Sequence, residues 1–167
     1  MEIARIEGNE IMDRRQMALV DVPPHKRSNW LPIEGEQPPC DHRIEAITGP
    51  IYTIEPTRVL RTWAVQRRPL ADQQQAVKQE CQRRIIALTG TSDLIACVIK
   101  QSNANMRANE LNDKRIAGQV LTAGEEAEAA ALRNLALAIK ALRARSNEIE
   151  VMVPIPADFD ADTMWVV

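Results

Sequence analysis

Apolar residues recur at intervals of three and four through the second half of the chain. They alternate at intervals of two only before residue 68. The clearest helical run is Leu132, Leu135, Ile139, Leu142, Ser146 and Ile149, a 3-4-3-4-3 spacing that lays one stripe along a helix and wants a neighbouring helix against it. Thr122 and Glu125 stand at capping-box distance before it. Glu125, Glu126 and Glu128 occupy the first turns and Lys140, Arg143 and Arg145 the last, so both ends complement the helix dipole. The pattern predicts a helix over about 122–150, roughly 40 Å long. An earlier stripe, Val77, Cys81, Ile85 and Leu88, predicts a helix over about 72–89, opened by Asp72 with Gln75 and stopped by Thr89-Gly90.

Between these two, residues 92–117 predict a third helix, starting at Thr91 or Ser92 and ending near Gly118. Its heptad seam is Ile95, Val98, Ser102, Asn105, Asn109, Asn112 and Ile116, apolar in the first half and polar in the second. Asparagine on a seam costs stability and fixes register or oligomer state. A solvated face is the favoured reading, and a specified polar layer the other. The short GQVLT connection makes an antiparallel hairpin of the last two helices the economical arrangement. Leu137 and Ile86 lie off the seams, where a partner would be sought.

Prolines are absent from Leu70 to Val153, 84 residues in all, while eight of the ten fall in the first 69. Proline lacks an amide donor and clashes with the preceding turn, so the helices belong where it is missing. In the first 69 residues, MALVDV at 17–22 predicts a short strand and the stretch to Pro39 a loop. HRIEAIT, IYTIE and RVLRTWAVQ, divided by Gly49-Pro50 and Pro56-Thr57, predict two or three short strands. In the last of these Val59, Arg61, Trp63 and Val65 share one face. So small a sheet needs cover from the helices or from a partner. After Val153 the sequence predicts an extended tail whose Trp165 docks somewhere. The expected fold class is α+β. Residues 1–69 form a proline-rich region with a small β-hairpin or meander, 70–153 a three-helix body containing a long helical hairpin, and 154–167 an extended acidic-aromatic tail.

Hydrophobic residues make up 45% of the chain, yet the aromatics are only Trp30, Tyr52, Trp63, Phe159 and Trp165, so the core should be thin and aliphatic. The net charge of −2 is interleaved, offering no broad field to nucleic acid or an anionic membrane. The arginine doublets at 14–15, 67–68 and 83–84 are isolated. Neither a signal-peptide core nor the roughly 20 apolar residues of a membrane helix is present, and a soluble protein made in a cytoplasm is expected. Cys40, Cys81 and Cys97 cannot all pair within the chain. Reduced thiols are expected, although Cys81 and Cys97 would approach if the first two helices folded back on each other.

No catalytic signature stands out. Cys40-Asp41-His42 has too few ligands for a metal and no third group to orient the imidazole. The glutamates of GEEAEAAA sit on an open helix end, without the burial that separates acidities. Glycines at 8, 35, 49, 90, 118 and 124 are too scattered for a phosphate loop. The chain is therefore read as non-enzymatic, with no catalytic residue, cofactor or metal ligand. Leu132, Leu135, Ile139, Leu142, Ile149, Trp63 and Trp165 are its candidate interaction residues, and the 132–149 seam the expected site of homo-oligomerisation, with a trimer as one arrangement.

Three stretches, taken in order, resemble small tail-associated proteins from the morphogenesis clusters of tailed bacteriophages. They are PPCDHRIEAITGPIYTIEPTRVLRTWAVQRRPL, with its Trp63-x-Val65 unit, then CQRRIIALTG, then LTAGEEAEAAALRNLALAIKALRARSNEIE running into PIPADFDADTMW, with Asp158, Asp160, Asp162 and Trp165. The resemblance spans about residues 38–165 and leaves the first 37 outside it. It implies a structural or assembly component of the virion tail, assembled in the host cytoplasm, whose partners are fibre, baseplate or tail-tube subunits. A transient tail-fibre assembly chaperone is the alternative, and a small nucleic-acid-binding regulatory protein a third reading.

Overall fold

The computed structural model describes residues 1–166, which form two compact units divided between Arg68 and Pro69. The fold class is α+β. The first unit holds β1 (Glu2–Glu7), β2 (Glu10–Gln16), β3 (Trp30–Glu34), β4 (Glu45–Ile54) and β5 (Val59–Arg67) in one sheet of order β2-β1-β3-β5-β4.

Five strands form where a short one at 17–22 and two or three after residue 41 were expected, and the reasons are local. The β1–β2 hairpin closes on Gly8-Asn9 between paired Glu7 and Glu10, with Gly8 at φ +62° supplying the left-handed residue such a tight turn requires. Residues 17–22, expected as a strand, instead make a 3-10 turn at Leu19–Asp21. The Asp21 carboxylate accepts the Ala18 N–H, and Arg27 donates to the carbonyls of Val20 and Val22, so the groups a ladder would need are already engaged. β3 lies inside the stretch expected to be loop. It accommodates Pro32 because its two ladders follow each other, with β1 antiparallel over Trp30–Pro32 and β5 parallel over Ile33–Glu34. The expected hairpin over 45–67 is present. Gly49-Pro50 does not end a strand there; the β4 ladder shifts register between Thr48 and Ile51 and continues.

β1 is covered on both faces. Successive residues point to opposite sides, and Ile3 packs with Val22 and Trp30 while Ala4 packs with Ile33 and Val59. Arg61 ties three strands together. Its guanidinium donates to the Gly35 carbonyl at 2.9 Å and to Glu2 at 2.7 Å and lies over the Trp63 ring.

The second unit holds α1 (Leu70–Thr89), α2 (Leu94–Ile116) and α3 (Ala123–Glu150). α1 starts two residues before its expected cap, with Pro69 as N-cap and Asp72 left as first-turn charge. It ends as expected, at Gly90 in the left-handed region. α2 begins after Asp93, whose side chain accepts the Ala96 N–H at 2.9 Å, in place of Thr91 or Ser92. Thr122 and Glu125 form the complete capping box at the start of α3.

α1 and the C-terminal half of α3 run antiparallel. Gln74 donates to the Glu150 carbonyl at 2.9 Å, and the Cys81 thiol lies at 3.6 Å from the Leu142 carbonyl. Gln73, Val77, Cys81, Ile85 and Thr89 are the buried row of α1, whereas Leu88 of the expected stripe is exposed. The tail is not extended. It turns back within this unit, ends in a 3-10 helix at Asp162–Trp165 and buries Ile155, Phe159 and Trp165.

Candidate interaction surfaces

α2 carries two apolar faces of unequal fate. At 3.6 residues per turn, Cys97, Ala104 and Leu111 share one side of the helix and Ile95, Val98, Ile99, Met106 and Ile116 the opposite side. Cys97 and Leu111 are buried. The opposite row stays in solvent, with Ile95 at 74% and Ile116 at 77% exposure and the others above half. Leu94, Ile95, Val98 and Ile99 make a continuous patch over the first turns, interrupted further along by Ser102, Asn109 and Asp113. All seven residues of the heptad seam are exposed, so no polar layer forms inside the chain.

α2 and α3 run antiparallel, and charge joins the end of one to the start of the other. Arg107 pairs with Glu128 at 2.9 Å, Arg115 with Glu126 at 2.6 Å, and Lys114 with Glu125. Lys114 is the largest cause holding the Glu125 carboxyl down at about 2, followed by the backbone N–H of Thr122. A carboxyl whose folded value lies below its ordinary 4.5 stabilises the fold above that value and ceases to as pH falls toward 2. An NMR titration should therefore place the Glu125 midpoint near 2 and move it upward in Lys114→Met. A wild-type midpoint at the ordinary value would remove the clasp.

Between α2 and α3 lies a groove of about 420 Å³. Its floor comes from Ala104, Ala108 and Leu111 on α2 and Leu132, Leu135, Ala136 and Ile139 on α3. The gap exists because α2 offers alanine where α3 offers leucine, and small side chains opposite large ones leave a trough. Its polar lining comprises Gln101, Asn105, Asn112, Arg115, Arg133, Lys140 and Arg143, four cations and no carboxylate.

The candidate residues divide accordingly. Leu132, Leu135 and Ile139 line the groove. Leu142 and Ile149 are buried within the chain, so that half of the seam serves the fold and leaves little surface for oligomer contact. Trp165 is likewise spent internally, its indole N–H donating to the Phe159 carbonyl and its ring lying beside Arg84. Trp63, in the first unit, is half-buried under Arg61. Leu137 is exposed and Ile86 half-buried. Ile99, Met106 and Arg133 were not singled out by the sequence reading. Ile95, Ile99, Ser102 and Met106 at 4-3-4 spacing was the available signal for the first two, and Arg133 one heptad before Lys140 for the third.

Elsewhere the chemistry is sparse. The Cys40 thiol lies 3.3 Å from His42 Nδ1, but the intervening Asp41 is held by Arg43 at 2.7 Å, which keeps its carboxyl below the usual range. All three cysteines are free. Burial pushes the Cys81 thiol up, and Cys97 accepts from Gln101 and Thr89. Among the described residues, no three His, Cys, Asp or Glu side chains gather as a metal site, and no single helix is long and apolar enough to cross a membrane. No protein family, curated protein or solved structure matches this chain.

Proposed function

We propose that this chain is a non-enzymatic component of a bacteriophage tail, fibre- or baseplate-associated, which attaches neighbouring subunits through its helical unit. The observation that carries the attachment role is the apolar row Ile95, Val98, Ile99, Met106 and Ile116, left in solvent on the side of α2 opposite its two buried residues, Cys97 and Leu111. Leu94, Ile95, Val98 and Ile99 are contiguous and exposed over the first turns, and apolar side chains grouped in solvent, unlike single scattered ones, mark an interaction surface. The tail assignment rests on the three resembling stretches within residues 38–165. Copies of the chain associate, in this reading, through the α2 row, since Leu142 and Ile149 are occupied internally. The protein is then assembled in the host cytoplasm and carried in the virion tail.

Quantitative mass spectrometry on purified particles from the genome that encodes the chain tests this. Copies in fixed ratio to the fibre or baseplate proteins are expected. Absence from particles whose fibres nonetheless fail to attach without the chain would replace the structural role with that of a transient assembly chaperone. Absence without any such defect would reject both.

A further inference from the structure

We propose that the α2–α3 groove binds a single amphipathic helix of a partner protein, with aliphatic anchors on one face and carboxylates along its edges. The proposal deepens the attachment role above and rests on it. The dimensions fit. Lining residues run from Gln101 to Arg115 on α2 and from Ala129 to Arg143 on α3, about 21 Å along each helix, or about four turns. A helix seated there would present anchors at i, i+3 or i+4, and i+7 to Ala108, Leu132, Leu135 and Ala136, the usual manner in which a helix enters an apolar groove.

Charge selects the occupant. The chain is net negative, yet the groove is lined by cations alone among charged residues. Arg115 is partly satisfied by Glu126 and Arg143 reaches Gln101 at 3.4 Å, whereas Arg133 and Lys140 have no ion-pair partner among the described residues. A second copy placed groove to groove would set these four cations against their equivalents, and like charges across an interface disfavour that pairing. Nucleic acid is disfavoured differently: no aromatic side chain lines the groove on which a base would stack. An acidic-edged helix meets both the aliphatic floor and the basic rim.

The test uses the full chain and two synthetic amphipathic helices of equal length with identical leucine anchors, one edged with glutamate and the other with lysine. Fluorescence anisotropy should show the glutamate peptide binding about tenfold more tightly or better, with an affinity that falls as salt rises. Arg133→Glu with Lys140→Glu, both at exposed positions, leaves two cations against two carboxylates in the lining and should erase the preference. Ala108→Trp, which fills the trough from an exposed position, should abolish binding of both peptides while circular dichroism stays unchanged. Equal affinity of the wild-type chain for the two peptides, binding that survives Ala108→Trp, or no binding by either would overturn the proposal. A concentration-dependent dimer dissolved by Ala108→Trp would put a second copy in the groove and overturn it too. Particle copies without peptide binding would reject the groove assignment alone; peptide binding without particle copies would reject the tail role alone.

Discussion

Gly35→Ala is expected to unfold the first unit or nearly so. Gly35 lies just beyond β3 at φ +115°, a region that L side chains rarely enter. A Cβ at this position would fall inside the van der Waals shell of the Arg61 carbonyl oxygen on β5, and a backbone atom inside a sheet cannot step aside as a flexible side chain can. The same place is closed by the Arg61 guanidinium, which donates to the Gly35 carbonyl and to Glu2. Any movement that relieves the clash therefore pulls on β1 as well. Strain and overpacking together put the cost at about 3–5 kcal/mol, against the roughly 5–15 that hold a typical domain. Gly8→Ala is the control. Gly8 also has positive φ, but open space surrounds its Cβ position, so about 1–2 kcal/mol is expected. Protection from hydrogen exchange across β5, read by mass spectrometry on the full chain, should collapse in the first variant and hold in the second. Similar exchange in both would show that the Arg61 contact does not constrain Gly35.

Trp165→Ala should cost the helical unit about 3–5 kcal/mol, as expected when a large buried aromatic is removed. The ring is 4% exposed. Its N–H donates to the Phe159 carbonyl at 2.6 Å, and Arg84, 5.1 Å from the ring centre, donates to the Asp160 carbonyl at 2.7 Å. Arg145 on α3 donates to the Met164 carbonyl. The tail thus clasps α1 and α3 through two arginines, and the indole lies under one of them. Trp165→Phe keeps most of the packing and loses one hydrogen bond, for about 1–2 kcal/mol. Urea denaturation followed at the helical signal should rank the two variants in that order. An unchanged midpoint for Trp165→Ala would leave the tail undocked and its tryptophan free for a partner.

The contrast between these two residues shows what the sequence could convey. The last helix was legible because Thr122, Glu125 and the 132–149 stripe all act within one helix, where spacing alone determines which side chains meet. The Thr89-Gly90 stop was legible for the same reason. β3 was not, because Pro32 argues against a strand unless its neighbours pair with only part of it, and that depends on β1 and β5, which are remote in sequence. The role of Gly35 depends on Arg61, 26 residues away, and no local pattern records such an approach. Trp165 was read as a residue in need of a docking place, and the place proved to be its own chain. The site was half legible. Leu132, Leu135 and Ile139 were identified from their period, while the groove they line also requires the alanines of α2, which look in sequence like unremarkable helix formers.

The central claim is that the solvent-facing row of α2 is an assembly surface. Copy number in purified particles, compared between the wild-type chain and Ile95→Lys with Ile99→Lys, tests it most directly. Both positions are already exposed, so the double variant should keep wild-type stability within about 0.5 kcal/mol. The account predicts that the variant folds and is lost from the particle. Variant copies equal to wild type in assembled tails would contradict it.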